Sequence, residues 1–158
     1  MLQKQVRISS EEETLFVSSD AFDDRSTIPA KYTCDGKNIN PPLTVRNIPG
    51  KTKSLVLIVE DPDAPIRAWA HWLVWNIPPS GIIKGNSIPG SEGRNDFGEQ
   101  HYDGPCPPSG THRYFFKVYA LDDLIQLKPS ATKTELEKAM NSHIISFGEL
   151  IGLYQRVK

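Results

Sequence analysis

The sequence predicts one mainly β domain (α+β in some classification schemes), with one or two helices packed at its edge. Three observations predict this fold class: short apolar runs recur along the 158 residues, thirteen prolines are dispersed between them, and only one segment has clear helical periodicity. Proline fixes φ and removes a hydrogen-bond donor, so scattered prolines are typical of turns in a strand-rich fold. No repeat or linker divides the chain, and we expect a single domain over residues 1–158.

The strand predictions follow the apolar runs along the chain. Strands are expected at residues 15–17, 43–45, 54–59, 71–76 and 113–121, with a closing strand at 149–156. The run at 54–59 is almost continuously apolar, which predicts a central strand covered on both faces. Residues 85–104 are rich in Gly, Asn and Asp and predict a long surface loop of the kind that often carries function.

The helix prediction depends on one capping signal. Thr132 is followed three residues later by Glu135, which fits a capping box. An apolar stripe follows the cap (Leu136, Ala139, Met140). Asn141 is the expected terminator.

Composition excludes several classes of function. Eighteen basic and nineteen acidic residues give a net charge of −1, so the chain lacks the basic surface expected of a nucleic-acid-binding protein. No apolar run is long enough for a transmembrane helix, and the first seven residues lack the apolar core of a secretory signal. We therefore expect a cytoplasmic protein with no cofactor. Because cytosolic disulfides are uncommon, Cys34 and Cys106 are expected to be reduced thiols.

Two proline-rich segments carry the functional signal. The first reads Asp-Pro-Asp-Ala-Pro at 61–65 and is followed by Trp-Ala-His-Trp at 69–72. The second reads Gly-Pro-Cys-Pro-Pro-Ser-Gly-Thr-His-Arg-Tyr at 104–114. Each pairs stiff backbone with a strand that begins at a histidine, which indicates a rigid pocket rather than a flexible catalytic loop.

Strand alternation predicts which side chains of these segments share a face. Three residues are expected on the face of His71 (Trp69, Leu73, Trp75). His112 and Tyr114 should share a face, with Arg113 directed away. A lone histidine is more often a half-buried residue bonded to backbone, but two beside proline-stiffened segments favour a site. Asp61 would complete that site if the strand ends converge.

These blocks resemble the phosphatidylethanolamine-binding protein family, which includes the Raf kinase inhibitor proteins. Further matching blocks occur at 32–36, 40–43, 119–122 and 149–154, and the likeness is to the compact bacterial and archaeal branch. The resemblance implies a central antiparallel sheet, a smaller second sheet and edge helices. It also implies a small cavity for phosphate-like anions, for which six ligand-binding residues are predicted (Asp61, Trp69, His71, Pro108, His112, Tyr114).

The resemblance also suggests roles for the residues around the cavity. Four residues are expected to support the pocket (Asp63, Pro65, Cys106, Arg113), with Arg113 pairing with Asp63 or Asp61. Both cysteines fall in family blocks near one end of the fold, so a single bridge is the alternative to free thiols. Family members inhibit kinases or proteases, so a kinase or protease partner is implied but not identified.

The main alternative is a metal-dependent enzyme, because two histidines and a carboxylate are the ingredients of a mononuclear iron or zinc site. Against it, neither His71 nor His112 has a second ligand at the short spacing usual in such sites. Relative to eukaryotic members, the chain ends before the C-terminal helix that borders their pocket. That difference, with five apolar residues near the end (Ile144, Ile145, Phe147, Leu150, Ile151), predicts a homodimer with its interface near the pocket mouth. The alternative is that these residues form the last strand of the core.

Overall fold

The computed structural model describes residues 14–157, and over that range the chain is mainly β with two sheets. The strands of the described residues are β1 Phe16–Ser18, β2 Ser26–Thr27, β3 Leu43–Arg46, β4 Ser54–Asp61, β5 Trp69–Ile77, β6 Ile82–Ile83, β7 Ser91–Glu92, β8 His112–Leu121 and β9 Ile144–Tyr154. A 3₁₀ turn at Ala30–Tyr32 and the helix α1, Lys133–Met140, complete the elements. The predicted fold class is confirmed.

The larger sheet has the strand order β2-β9-β8-β4-β5-β7, and the smaller one has the order β1-β3-β6. All pairs are antiparallel except β2, which runs parallel to β9. Every residue of β4 is buried, which confirms the prediction of a central strand. Leu57 and Val59 of β4 face the core between the sheets, and Val56 and Ile58 face a second core beneath α1.

Helix α1 begins with the predicted capping box. Thr132 donates its backbone N–H to Glu135 Oε1 (2.9 Å), and Glu135 donates its own to Thr132 Oγ1 (3.4 Å). Leu136 and Met140 are buried against the sheet, and Asn141 follows the last helical residue. Within residues 14–157, no helix has the length and apolarity needed to cross a lipid bilayer.

The short strands β2, β6 and β7 were not predicted, because two residues are too few to show a pattern. Consequently the loop expected at 85–104 contains a strand, β7. The closing strand also begins earlier than expected, at Ile144 rather than 149. Gly148 interrupts the apolar run in β9, and a Cβ there would lie 2.1 Å from the Leu15 carbonyl oxygen. The close approach of Leu15 therefore requires glycine at this position.

The predicted dimer surface is wrong in part. Leu150 and Ile151 are buried within the protein, so they are not available to a second copy. Ile144 and Phe147 are 40% and 37% exposed. Phe147 packs on Tyr119 with ring centroids 4.9 Å apart. The homodimer itself stays a prediction, which sedimentation equilibrium can test.

The expectation of two free thiols is wrong, because Cys34 and Cys106 form a disulfide. Two hydrogen bonds hold their loops together: Cys34 N–H donates to the Pro105 carbonyl (3.1 Å), and Gly104 N–H donates to the side-chain oxygen Asn38 Oδ1 (2.8 Å). The two cysteines are 72 positions apart in sequence, and residue counts alone cannot show that their loops meet. The bridge that the family resemblance suggested is therefore present.

Candidate functional site

A cavity of about 240 Å³ opens at the end of the larger sheet, where β4, β5 and β8 meet. Its walls come from three segments, the turn between β4 and β5, the loop that carries Phe97, and the proline-rich approach to β8. The lining residues are Asp61, Ala64, Pro65, Ile66, Trp69, His71, Phe97, Cys106, Pro107, Pro108, His112 and Tyr114. The convergence on which the sequence argument depended is therefore present.

Asp61 and His112 form a buried pair on one side of this cavity. Asp61 is the last residue of β4 and His112 the first of β8, and His112 Nδ1 lies 2.6 Å from Asp61 Oδ2. The other carboxylate oxygen accepts the Asp63 backbone N–H at 2.8 Å. Because a carboxylate accepts, Nδ1 of His112 carries the proton in this bond. Nε2 is then the ring nitrogen left for a ligand.

His71 reaches the cavity because of a β-bulge. Val59 pairs with Trp72 and Glu60 pairs with Ala70, so His71 is one extra residue in β5. An extra residue resets the alternation of faces. Leu73 and Trp75 therefore lie in the core under α1 rather than on the His71 face, which corrects the prediction. Trp69 remains with His71 at the cavity, as expected.

The environment of His71 favours its neutral form. Burial lowers the pKa of His71 below its ordinary value, although the Asp103 carbonyl and the Asp61 carboxylate act in the opposite direction. Nδ1 lies 2.6 Å from the Asp103 carbonyl oxygen, which can only accept, so Nδ1 carries the proton. The ring also packs edge-on against Tyr114 and Phe97, at centroid distances of 5.4 and 5.1 Å.

Tyr114 presents a buried hydroxyl without a partner. Its side chain is fully buried, and no group among the described residues meets hydrogen-bond geometry with its Oη. Burial, reinforced by the nearby Asp61 carboxylate, raises the pKa of Tyr114, so the hydroxyl keeps its proton. A buried polar group without a partner costs about 1–3 kcal/mol. The Asp61 carboxylate and the Cys106 backbone lie near enough to affect its pKa, but neither forms a well-aligned hydrogen bond with it.

Asp63 and Arg113 brace the two proline-rich segments outside the cavity. Arg113 donates three hydrogen bonds to the Asp63 carboxylate, from its backbone N, Nε and Nη2, at 2.9–3.0 Å. The bonds from Arg113 hold the pKa of Asp63 below its usual value, against the opposing effect of burial. The expected pairing of Arg113 is thus present, with Asp63 rather than Asp61 as the acid.

The structure brings all six predicted ligand-binding residues to the cavity, and Pro65 and Cys106 line it as well. Sequence reasoning missed four apolar lining residues (Ala64, Ile66, Pro107, Phe97). Ile66 is 91% exposed and Phe97 is 46% exposed, so the rim of the cavity is apolar. Phe97 lies in the loop predicted to be functional, where it and Tyr102 are the two aromatic residues among Gly, Asn and Asp.

The residues that the metal alternative requires do not make a metal site in the described range. Within residues 14–157, no group of three or more His, Cys, Asp or Glu side chains has an arrangement that could hold a metal ion. Both oxygens of the Asp61 carboxylate are already engaged in hydrogen bonds, one with His112 and the other with the Asp63 backbone N–H.

Comparisons with known proteins agree with this architecture. The model of the family described as phosphatidylethanolamine-binding protein matches residues 18–155. A UPF0098 protein of Pyrococcus abyssi is 53% identical, in an alignment that covers 92% of this chain and 87% of that protein. The crystal structure of a phosphatidylethanolamine-binding protein homologue from Chlamydia trachomatis superposes with a TM-score of 0.88 at 41% identity, covering 92% of this chain and 99% of that one. YbcL of Escherichia coli superposes with a TM-score of 0.84 at 30% identity, covering 90% and 99%.

Proposed function

The chain belongs to the phosphatidylethanolamine-binding protein family, and we propose that its cavity binds a small oxyanion or a phosphorylated head group without catalysing a reaction. The observation that carries the proposal is the unpartnered Tyr114 hydroxyl, fully buried at a cavity that two histidines also line. A hydroxyl and two imidazole Nε2 atoms can all donate to the oxygens of one tetrahedral anion when the imidazoles are protonated.

Charge decides how such an anion would enter. Burial biases His71 toward its neutral form, and the Asp61 carboxylate would repel a dianion placed against it. A monoanion that carries its own proton, such as dihydrogen phosphate or a phosphomonoester, can donate that proton to a neutral imidazole. A dianion such as sulfate brings no proton, so it should bind only when the imidazole has been protonated, at mildly acidic pH. Hydrogen bonds to a charged group contribute about 1.5–3 kcal/mol each. The Asp61 carboxylate could also accept an ammonium group, which makes phosphoethanolamine a suitable probe.

Calorimetric titration with phosphate, phosphoethanolamine and sulfate tests the proposal. In chelator-treated protein, His71→Ala and His112→Ala should each weaken binding about ten- to a hundredfold, which corresponds to one lost charged hydrogen bond. His143→Ala is the matched control, because His143 forms a similar pair with Asp122 (2.8 Å) at the surface, outside the cavity. Equal affinities in all four proteins would contradict the proposal.

Incubation with phosphoethanolamine, followed by phosphorus NMR, tests the non-catalytic part of the proposal. We expect the phosphomonoester signal to persist at wild-type protein concentrations equal to that of the ligand. Turnover that disappears in His112→Ala would instead indicate an enzyme.

The proposal includes a cytoplasmic location and a kinase or protease partner. Experiments on the source cell would identify that partner.

A further inference from the structure

Asn95 is a buried amide at the centre of the loop that forms one wall of the cavity. Its side chain is 3% exposed and lies in the segment between β7 and β8. This segment carries two groups that the cavity uses. Phe97 lines the wall, and the Asp103 carbonyl accepts the proton of His71 Nδ1.

The amide oxygen of Asn95 organises the Phe97 side of the loop. Oδ1 accepts the backbone N–H groups of Phe97 and Glu99, each at 2.9 Å. The Asn95 backbone N–H also donates to the Glu99 carbonyl at 2.8 Å, which closes the turn. With two donors directed at it, the oxygen end of the amide is identified unambiguously by its hydrogen bonds.

The amide nitrogen of Asn95 reaches the His71 side. Nδ2 lies within hydrogen-bond distance of three acceptors: Asp103 Oδ2 at 2.8 Å, and the carbonyl oxygens of His71 and His101 at 3.0 Å. Two of these acceptors belong to the residues whose own contact sets the His71 tautomer. The Asp103 backbone N–H also donates to the His71 carbonyl at 3.3 Å.

We propose that Asn95 is the positioning residue of the cavity: its single amide fixes both the Phe97 wall and the Asp103 carbonyl that holds His71 with Nε2 directed to the ligand. Asn95 is not among the residues that line the cavity, so it acts through its neighbours. The inference rests on the proposed anion-binding function only for its effect on affinity. The effect on the His71 tautomer does not depend on any ligand.

The chain offers a matched control in Asn40. Asn40 is also 3% exposed and also organises a loop, donating to the Lys84 carbonyl at 3.0 Å and accepting the Ser87 N–H at 2.9 Å. It does not line the cavity. Alanine at either position removes a buried amide of the same kind, so a loss of stability alone should be similar in the two variants.

Imidazole ¹H–¹⁵N correlation spectra and sulfate titration together test the inference. In wild type and in Asn40→Ala we expect His71 in the form protonated at Nδ1 when neutral, with the same sulfate affinity. In Asn95→Ala we expect a mixture of tautomers and an affinity lower by about tenfold, the effect of misplacing one hydrogen bond. An unchanged His71 spectrum in Asn95→Ala, or an equal change in Asn40→Ala, would overturn the inference.

Two substitutions at Asp103 provide the test if Asn95→Ala does not fold. Asp103→Ala removes the carboxylate oxygen that accepts from Asn95 Nδ2, whereas Asp103→Asn keeps one acceptor oxygen for Asn95 while it removes the charge and replaces the other oxygen by an NH2 donor. We expect the tautomer change in Asp103→Ala and not in Asp103→Asn; identical spectra for both would contradict the role of Asn95. If wild type binds none of the three anions, the proposed function fails, but the tautomer result still decides the positioning role.

Discussion

Two neighbouring carboxylates at the end of β4, Glu60 and Asp61, are buried on opposite faces of the same sheet, at 5% and 4% exposure. Glu60 faces α1 and meets two lysines: Lys117 Nζ lies 2.8 Å from Oε2, and Lys133 contacts Oε1. Asp61 faces the cavity and meets His112. One carboxylate is paired with two lysine ammonium groups, while the other is paired with an imidazole at the cavity.

The different partners of Glu60 and Asp61 indicate different roles for the two faces of the larger sheet. Burial would raise the pKa of Glu60, but hydrogen bonds from Lys117 and Lys133 outweigh it and lower the pKa. Glu60 thus joins α1 to the central strand with its charge compensated. On the other face, the Tyr114 hydroxyl lies buried beside Asp61 without a well-aligned hydrogen bond. The helix face holds the fold together, and the cavity face is arranged to bind.

The largest expected effect is at Glu60. Glu60→Gln leaves two lysines beside a neutral buried amide, and removing one partner of a buried ion pair costs about 3–5 kcal/mol in free energy of unfolding. Urea denaturation measures it. Glu137→Gln is the control, since Glu137 is a half-exposed partner of Lys133 at 4.0 Å and should contribute less than about 1 kcal/mol. Sulfate affinity should be equal in both variants. A loss of affinity in Glu60→Gln alone would contradict the claim that the helix face of the sheet stabilises the fold without affecting the cavity.

The disulfide should have the next largest effect, and it lies on the cavity face. Replacing Cys34 and Cys106 together by serine should lower the free energy of unfolding by about 2–4 kcal/mol, because the bridge constrains a long loop in the unfolded chain. Since Cys106 lines the cavity, we also expect weaker sulfate binding. Urea denaturation and calorimetry on the same samples check both effects. Unchanged affinity at reduced stability would show that the bridge supports the fold but not the site.

Acid–base linkage gives a smaller effect that is specific to the cavity face. Burial holds the pKa of His71 below its ordinary value, and a bound anion should favour the protonated ring and raise that pKa. Sulfate affinity should therefore be low above the bound-state pKa and should rise as pH falls through it toward the lower free-state pKa. Calorimetry with sulfate between mildly alkaline and mildly acidic pH tests this, because sulfate itself does not titrate there. A flat profile would contradict a direct contact between His71 and the anion.

The sequence could predict those features that depend on residues within a single helix or strand. The capping box at Thr132 and the alternation that places His112 with Tyr114 depend on residues a few positions apart, and both are present. The bulge at His71 could not be predicted from the strand pattern, because the extra residue exists only relative to the register of β4. The disulfide and the Phe97 wall likewise depend on loops that meet through contacts distant in sequence. The family resemblance supplied the convergence that periodicity alone could not.

The central claim, that the cavity face binds an anion, is tested most directly at mildly acidic pH, by measuring how much sulfate raises the thermal unfolding temperature of Tyr114→Phe. Tyr102→Phe is the matched control, because its buried hydroxyl already donates to the Tyr32 carbonyl at 2.7 Å. We predict that Tyr114→Phe unfolds at or above the wild-type temperature without sulfate and gains less from sulfate, with affinity lower by about tenfold. We predict that Tyr102→Phe is destabilised by about 1–3 kcal/mol and keeps the full sulfate effect. A Tyr114→Phe protein that is destabilised like Tyr102→Phe and responds to sulfate like wild type would contradict the claim.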